Sequence, residues 1–193
     1  MFPSVWRIGG LSRDLNPEFE SDLSKFLKGF PRTWKDLNNL LTENYVWCER
    51  LQGVAVLDKE IAKQYMCTGP VIRSVGLAYD IRKVYPYLGY EEYTFDIPTK
   101  TEGDAYARYL IRMDEMLQSM SIIEQALRRL KPGAVIVDDR KVALPPRREL
   151  ARSMEAVIHQ FKLVSEGIHP PIGQLYQCVE SARGELGFYI ESD

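Results

Sequence analysis

Histidine and cysteine are the scarce reactive residues of this chain, at two and three of 193. Cys48, Cys67 and Cys178 stand far apart, odd in number and outside any C-x-x-C spacing. That argues against a disulfide framework and gives no zinc or iron–sulfur signature. The three read as reduced thiols of a cytosolic compartment, packing as small apolar side chains. Long hydrophobic runs are also missing, and nothing approaches the roughly 20 apolar residues of a membrane span. The opening MFPSVWRIGG lacks the basic start and apolar core of a signal peptide. There is no basic excess: 25 Lys and Arg stand against 27 Asp and Glu, for a net charge of -2. The doublets Arg128-Arg129 and Arg147-Arg148 are too short for a nucleic-acid-binding stripe, so no nucleic acid partner is expected. No glycine-rich loop has P-loop or dinucleotide spacing, and no serine sits in a nucleophile elbow. The sequence holds no self-contained active site.

What remains is globular in composition, 45% hydrophobic and 27% charged. Asn16 and Pro17 suit an N-cap and a first-turn proline. Phe19, Leu23, Phe26, Leu27 and Phe30 then share one helical stripe. GFP at 29–31 is expected to kink or divide the rod before Trp34, Leu37, Leu41, Tyr45 and Cys48 resume it, giving a bent helical arm over 17–50. After GVAVL and a short helix in DKEIAKQYM, residues 68–100 read as an irregular connecting loop rich in Tyr, Gly and Pro. The longest helix is expected over about 103–130, capped by Thr101 with Asp104 at its third position and stopped by KPG. Its apolar face is read as Tyr106, Leu110, Met113, Met116, Leu117, Met120, Ile123, Leu127 and Leu130. At ~1.5 Å per residue such a helix spans about 40 Å, a bundle dimension.

An excursion then precedes a final helix over about 149–165, whose buried face is read as Ala151, Met154, Val157, Ile158, Phe161 and Val164. The long helix, excursion and final helix together occupy 101–166. GQLYQCVES and ELGFYIES form a hairpin over 173–193, turning at ARG. An isolated hairpin is marginal, so a further strand is expected from a longer chain. The fold class is therefore mainly α: a long-helix bundle with a small, incomplete antiparallel β part, an α+β fragment of one larger domain.

Several charged residues are candidates for more than solvation. Arg108 and Arg112 lie one turn apart beside Asp104 and Glu115. They read as i,i+4 charge pairing on a helix surface or as bundle charges that fix a partner or the tyrosine-rich loop. In RSVGLAYDIR, Arg73, Asp80 and Arg82 can clamp a loop through charged, bidentate hydrogen bonds, or recognise an anion or partner. Glu155 and His159, spaced i,i+4, look like half of a metal site, but no second E-x-x-H completes one. His159 is expected instead to donate a hydrogen bond between the helix and the hairpin.

Several blocks resemble one family, the NuoD-type or 49-kDa subunit of respiratory complex I, whose relatives are the large subunits of nickel–iron hydrogenases. They are RIGG, TGPVIRSVGLAYDIRKVYPYLGYEEYTFDIP, GDAYARYLIRMDEMLQSMSIIEQALRRL, SMEAVIHQFKLVSEG and ESARGELGFYIESD. The resemblance implies a subunit about twice this long, in the peripheral arm of a proton-translocating NADH:quinone oxidoreductase on the cytoplasmic face of a bacterial membrane. It implies three kinds of partner: the small iron–sulfur subunit of NuoB type, a NuoC-type subunit, and the membrane-arm subunits. Electrons pass from the neighbour's cluster to quinone, and no cofactor is expected on this chain. The family's quinone-head histidine and tyrosine fall in an N-terminal part that this sequence does not contain. Arg73, Asp80 and Arg82 match its R..G..YD.R block, and Glu155, His159, Glu180, Arg183 and Glu185 match its later blocks. These are implied to be packing and interface residues, not catalytic ones. Many members carry a histidine just before RxGG, whereas this chain reads MFPSVWRIGG, so no histidine contact to the terminal cluster is expected. A membrane-bound hydrogenase subunit or a non-enzymatic helical scaffold are the alternatives, and the isolated piece is expected to be inactive.

Overall fold

The longest helix begins where a carboxylate can terminate it. Asp104 has extended backbone, and its Oδ1 accepts the Ala107 N–H at 2.7 Å while Oδ2 accepts the Gly53 N–H at 2.8 Å. Asp104 is therefore the N-cap itself, one side chain satisfying an orphan helix donor and fixing a loop. The expected cap, Thr101, lies outside the helix, and its N–H is bonded to Glu102. The structure is a computed structural model that describes residues 5–193. The departure from the family's histidine before RxGG falls largely on residues 1–4, outside the described residues.

The described residues form two compact units, one drawn from Glu20–Leu130 and Leu175–Ile190, the other from 5–19, Lys131–Gln174 and Glu191–Asp193. In the first, α1 (Phe19–Leu41) and α2 (Tyr45–Leu51) precede α3 (Lys59–Gln64) and α4 (Gly69–Arg73). Next come α5 (Ile81–Val84), a 3-10 turn (Tyr90–Glu92) and α6 (Ala105–Arg129). Helix α1 runs through Pro31 without dividing. The proline removes one backbone bond, but α1 has no buried residue, so water can solvate the carbonyl left without a donor. The break comes at 42–44 instead, where the Asn44 side chain accepts the Trp47 N–H and restarts the helix as α2. Residues 68–100 contain three short helical turns where the sequence suggested irregular loop.

Helix α6 is the axis of this unit and packs on two sides. The methionine-bearing side faces α1 and α2: Trp34 Nε1 donates to Met113 O at 2.9 Å, and Tyr106 donates to Thr42 O at 2.7 Å. Its most buried positions, however, include Ala107, Ile111 and Ile122 on the opposite side. Sequence reading missed this second face because Glu115, Gln118 and Gln125 interrupt its apolar pattern. Two of those polar groups serve the loop: the Gln118 and Gln125 carbonyls accept the N–H groups of Asp96 and Thr94. A small core of Ala62, Ile72 and Val75 forms between α3 and α4.

The other unit holds an antiparallel pair, β1 (Trp6–Arg7) and β2 (Gly10–Leu11), with Trp6 opposite Leu11 and a bridge from Gly10 to Ile136. The expected helix over 149–165 is two pieces, α7 (Arg147–Leu150) and α8 (Met154–Ser165), because Ser153 caps the second by accepting the Ala156 N–H. The expected buried face of α8 is wrong as well. Met154, Val157, Ile158, Phe161 and Val164 are all exposed, and Ala156 is the buried residue of the helix. Strands β3 (Gly173–Ser181) and β4 (Gly184–Ser192) form the hairpin at the expected turn. The fold is thus mainly α with two small antiparallel sheets. No helix among the described residues is long and apolar enough to cross a membrane.

Candidate functional site

The densest chemistry lies in a buried charge cluster that joins α4, α5, α6 and β3. Arg73, at 1% exposure, is its centre. Its Nη1 donates to Tyr79 O at 2.9 Å and to Glu180 Oε1 at 3.0 Å, and stands 3.8 Å from Asp80 Oδ2. Its Nη2 forms an ion pair with Glu115 Oε1 at 2.5 Å. Arg73 Nε, by contrast, has no hydrogen-bond partner among the described residues. Arg82 forks onto Asp80, with Nε to Oδ1 at 3.0 Å and Nη2 to Oδ2 at 2.6 Å. Its guanidinium lies 4.8 Å from the Phe95 ring centroid and 5.8 Å from that of Tyr90, close enough for cation–π attraction. Glu180 Oε2 accepts the Ile81 N–H, and the Glu180 N–H donates to the Tyr87 hydroxyl.

Burial and neighbouring charge shift several of these groups. Burial pushes the Asp80 carboxyl up, but the hydrogen bonds and charge of Arg82, then the charge of Arg73, hold it below the usual value. For Glu115 the balance goes the other way, as burial outweighs the nearby Arg73 and raises its pKa. Burial also raises the Tyr87 phenol. Two guanidiniums and three carboxylates share one site, and within it the Asp80 and Glu115 carboxyls are shifted in opposite directions. A buried charge is costly unless paired and hydrogen-bonded, so the cluster fixes its elements in a single arrangement.

Backbone contact reinforces it. Gly69 sits at φ +64, and a Cβ there would run into the Gly184 backbone. The Glu185 N–H donates to Thr68 Oγ1 at 2.9 Å, fastening the base of the hairpin turn to the start of α4. Beside the cluster opens a groove of about 520 Å³, with Phe26, Phe30, Met116 and Ile123 on its apolar side and Arg112, Glu115 and Glu180 on its charged side.

Of the residues singled out from sequence, Arg73, Asp80, Arg82 and Glu180 come together here. Arg108 instead binds loop carbonyls, Gly103 O at 2.8 Å and Ala55 O at 3.0 Å. Arg112 reaches Arg108 O and the groove, so neither arginine makes the expected i,i+4 ion pair. Glu185 accepts the Tyr176 hydroxyl at 2.6 Å, which pushes that exposed phenol up to about 12. Arg183 is exposed at the hairpin turn. Glu155 and His159 lie on α8 in the other unit. The side chain of half-buried His159 makes no hydrogen bond among the described residues, contrary to expectation. Sequence reading did not assign Glu115 or Tyr87 to the site. The signal for Glu115 was present, since it falls on one helical line with buried Ile111 and Ile122. No group of three His, Cys, Asp or Glu is placed to hold a metal among the described residues.

The sequence profile described as "Respiratory-chain NADH dehydrogenase, 49 Kd subunit" matches residues 1–193. The NADH-quinone oxidoreductase D subunit of Protochlamydia amoebophila (strain UWE25) is 72% identical over 193 residues, covering 100% of this chain and 48% of the relative. A corresponding D subunit of Roseiflexus sp. (strain RS-1) is 49% identical over 196 residues, 100% of this chain and 47% of its own length. That of Rhodospirillum centenum (strain ATCC 51521 / SW) is 46% identical over 195 residues, 100% of this chain and 49% of its own length. The chain spans about half the length of the curated relatives it matches.

Proposed function

The chain belongs to the 49-kDa subunit family of respiratory-chain NADH dehydrogenase, and from that premise we propose that it serves in the quinone-reducing subunit of a proton-translocating NADH:quinone oxidoreductase. The observation that carries the proposal is identity of 72% over every residue of the chain. In this reading the subunit stands in the peripheral arm on the cytoplasmic face of the membrane. It borders a small iron–sulfur subunit, a NuoC-type subunit and the membrane arm, and electrons pass from the neighbour's cluster to quinone. The names of the matched relatives favour this over the hydrogenase and scaffold alternatives.

These 193 residues act as framework in that reaction. The Arg73–Glu180–Asp80–Arg82 network is built from donors and acceptors held in place by packing, the condition under which protein dipoles act strongly on a nearby reacting group. The cluster has no nucleophile of its own. Its role is to hold α4, α6 and the hairpin as a rigid wall, with Arg73 as the positioning residue.

The test is an exchange. These residues replace the matching stretch of a relative's 49-kDa-type subunit in its host bacterium, and membranes are assayed for inhibitor-sensitive NADH:quinone reduction. The expected result is an assembled complex with activity retained. Assembly of the exchanged subunit without any NADH:quinone reduction would refute the reading.

A further inference from the structure

The charges of the buried cluster do not balance. Asp80, Glu115 and Glu180 bring three carboxylates to two guanidiniums, those of Arg73 and Arg82, so one negative charge is left over when every group is ionised. Net charge out of water is costly, and a carboxylate relieves it by binding a proton. The proton goes to the carboxylate with the fewest donors, because each hydrogen bond to the charged form holds that form in place.

The three are held unequally. Asp80 accepts three bonds from Arg82: its backbone N–H at 2.9 Å, Nε at 3.0 Å and Nη2 at 2.6 Å. Glu180 accepts one on each oxygen, from Arg73 Nη1 at 3.0 Å and from the Ile81 N–H at 3.3 Å. Glu115 has the contact with Arg73 Nη2, and no backbone N–H donates to it among the described residues. Its side chain is also the most open, 18% exposed against 2% for Asp80 and 5% for Glu180. It lines the groove, so a proton reaches it without the cluster coming apart.

The surrounding charges agree with this order. On α6 itself, Arg112 is exposed with Nη1 turned to Arg108 O, so solvent screens it, and Asp114 is paired with Lys100. Helix α1 brings Phe26 and Phe30 to the groove. From β3 the charge of Glu180 favours the proton on Glu115, against the opposing pull of Arg73 and Arg82. The Tyr87 hydroxyl is engaged by the Glu180 N–H.

We propose that Glu115 is a proton-binding switch: ionised, it shares Arg73 with Glu180, and protonated, it leaves the guanidinium charge to Glu180. In the step, hydronium gives its proton to the Glu115 carboxylate, one O–H bond forms, water is left, and the Nη2 ion pair is lost. Asp80 and Arg82 keep their bonds in both states. The grip of Arg73 thus moves from α6 toward β3 on proton uptake. This goes beyond the framework role and does not depend on which electron acceptor an assembled enzyme uses.

The test is nuclear magnetic resonance of the 193-residue chain from about pH 8 to about pH 4, a span that brackets the ordinary carboxylate and histidine ranges. Two signals are followed, the glutamate side-chain carboxyl carbons and the arginine Nε–H groups. The Glu115 carboxyl is expected to titrate with a midpoint above the usual 4.5. The Arg73 Nε–H is expected to shift with that same midpoint, while the Arg82 Nε–H stays still across it. In Glu115→Gln the Arg73 signal is expected to hold its low-pH position at every pH. A Glu115 midpoint at or below 4.5, or an Arg73 signal that stays still or moves together with Arg82, would each overturn the proposal in the wild-type chain alone. An Arg73 shift that survives in Glu115→Gln would do the same, since another group would then be taking the proton.

Discussion

Replacing Arg73 by methionine removes the centre of the cluster and leaves most of its packing volume in place. Asp80 keeps both bonds from Arg82, so it stays compensated. Glu115 loses its ion pair, and Glu180 retains the Ile81 N–H at 3.3 Å as the one donor to its carboxylate. With Glu180 almost fully buried, its charge is left uncompensated. Breaking a buried pair in this way costs about 3–5 kcal/mol. In a chain of this size that lowers the midpoint of thermal unfolding by roughly 6–20 °C. Urea unfolding followed by tryptophan fluorescence is a suitable assay, because Trp34 and Trp47 lie in the unit that holds the cluster. A Trp6→Phe background removes the signal from the other unit. Arg73→Lys keeps the charge but lacks the fork that engages several oxygens at once, so it is expected to fall between wild type and Arg73→Met. Arg128→Met, at an exposed helix pair with Glu124, is expected to change stability by less than about 1 kcal/mol. If Arg73→Met costs no more than Arg128→Met, the cluster does not hold the unit together and the reasoning fails.

Two further outcomes follow from the same geometry. Glu115 has a raised pKa in the folded chain, so the native state binds more protons than the unfolded state as pH falls from Glu115's folded pKa toward the usual 4.5. Stability is therefore expected to rise with acidification through that window, and urea titrations across pH should lose this limb in Glu115→Gln. Asp80 has the opposite sign: its pKa is depressed, so its contribution is present above the usual 3.8 and is lost as pH falls below it. An acid limb that survives in Glu115→Gln would show that another group carries it. Separately, Gly69→Ala sets a Cβ against the Gly184 backbone at a positive φ. It is expected to cost about 2–4 kcal/mol and to speed amide exchange in β4 near the turn. Unchanged exchange there would mean that the close approach is not maintained in solution.

Local pattern determined much of this protein. The 3.6-residue period made α1 and α6 legible, and alternation with a tight turn did the same for the β3–β4 hairpin, because each depends on neighbours within a few positions. Caps were less legible. Thr101 was expected in the role with Asp104 at the third helical position, but Asp104 is the cap, and it also accepts the N–H of Gly53, 51 positions away. The R..G..YD.R block was recognisable as a clamp, but its partners were not. Arg73 and Glu180 are 107 positions apart, and no local period links them. The second face of α6 was hidden for a related reason: its glutamate and glutamines are half-buried and engaged by an ion pair and hydrogen bonds, which a hydrophobic pattern does not register. In α8 the failure ran the other way. Periodicity correctly identified an apolar stripe, but the direction that stripe faces is set by what packs against the helix, and in the folded chain its small Ala156 side is covered instead. The sequence by itself thus determined which segments are helix or strand and which side of each is apolar. Tertiary structure decided which sides are covered and which distant charges meet, because burial and ion pairing depend on contacts that chain neighbours do not supply.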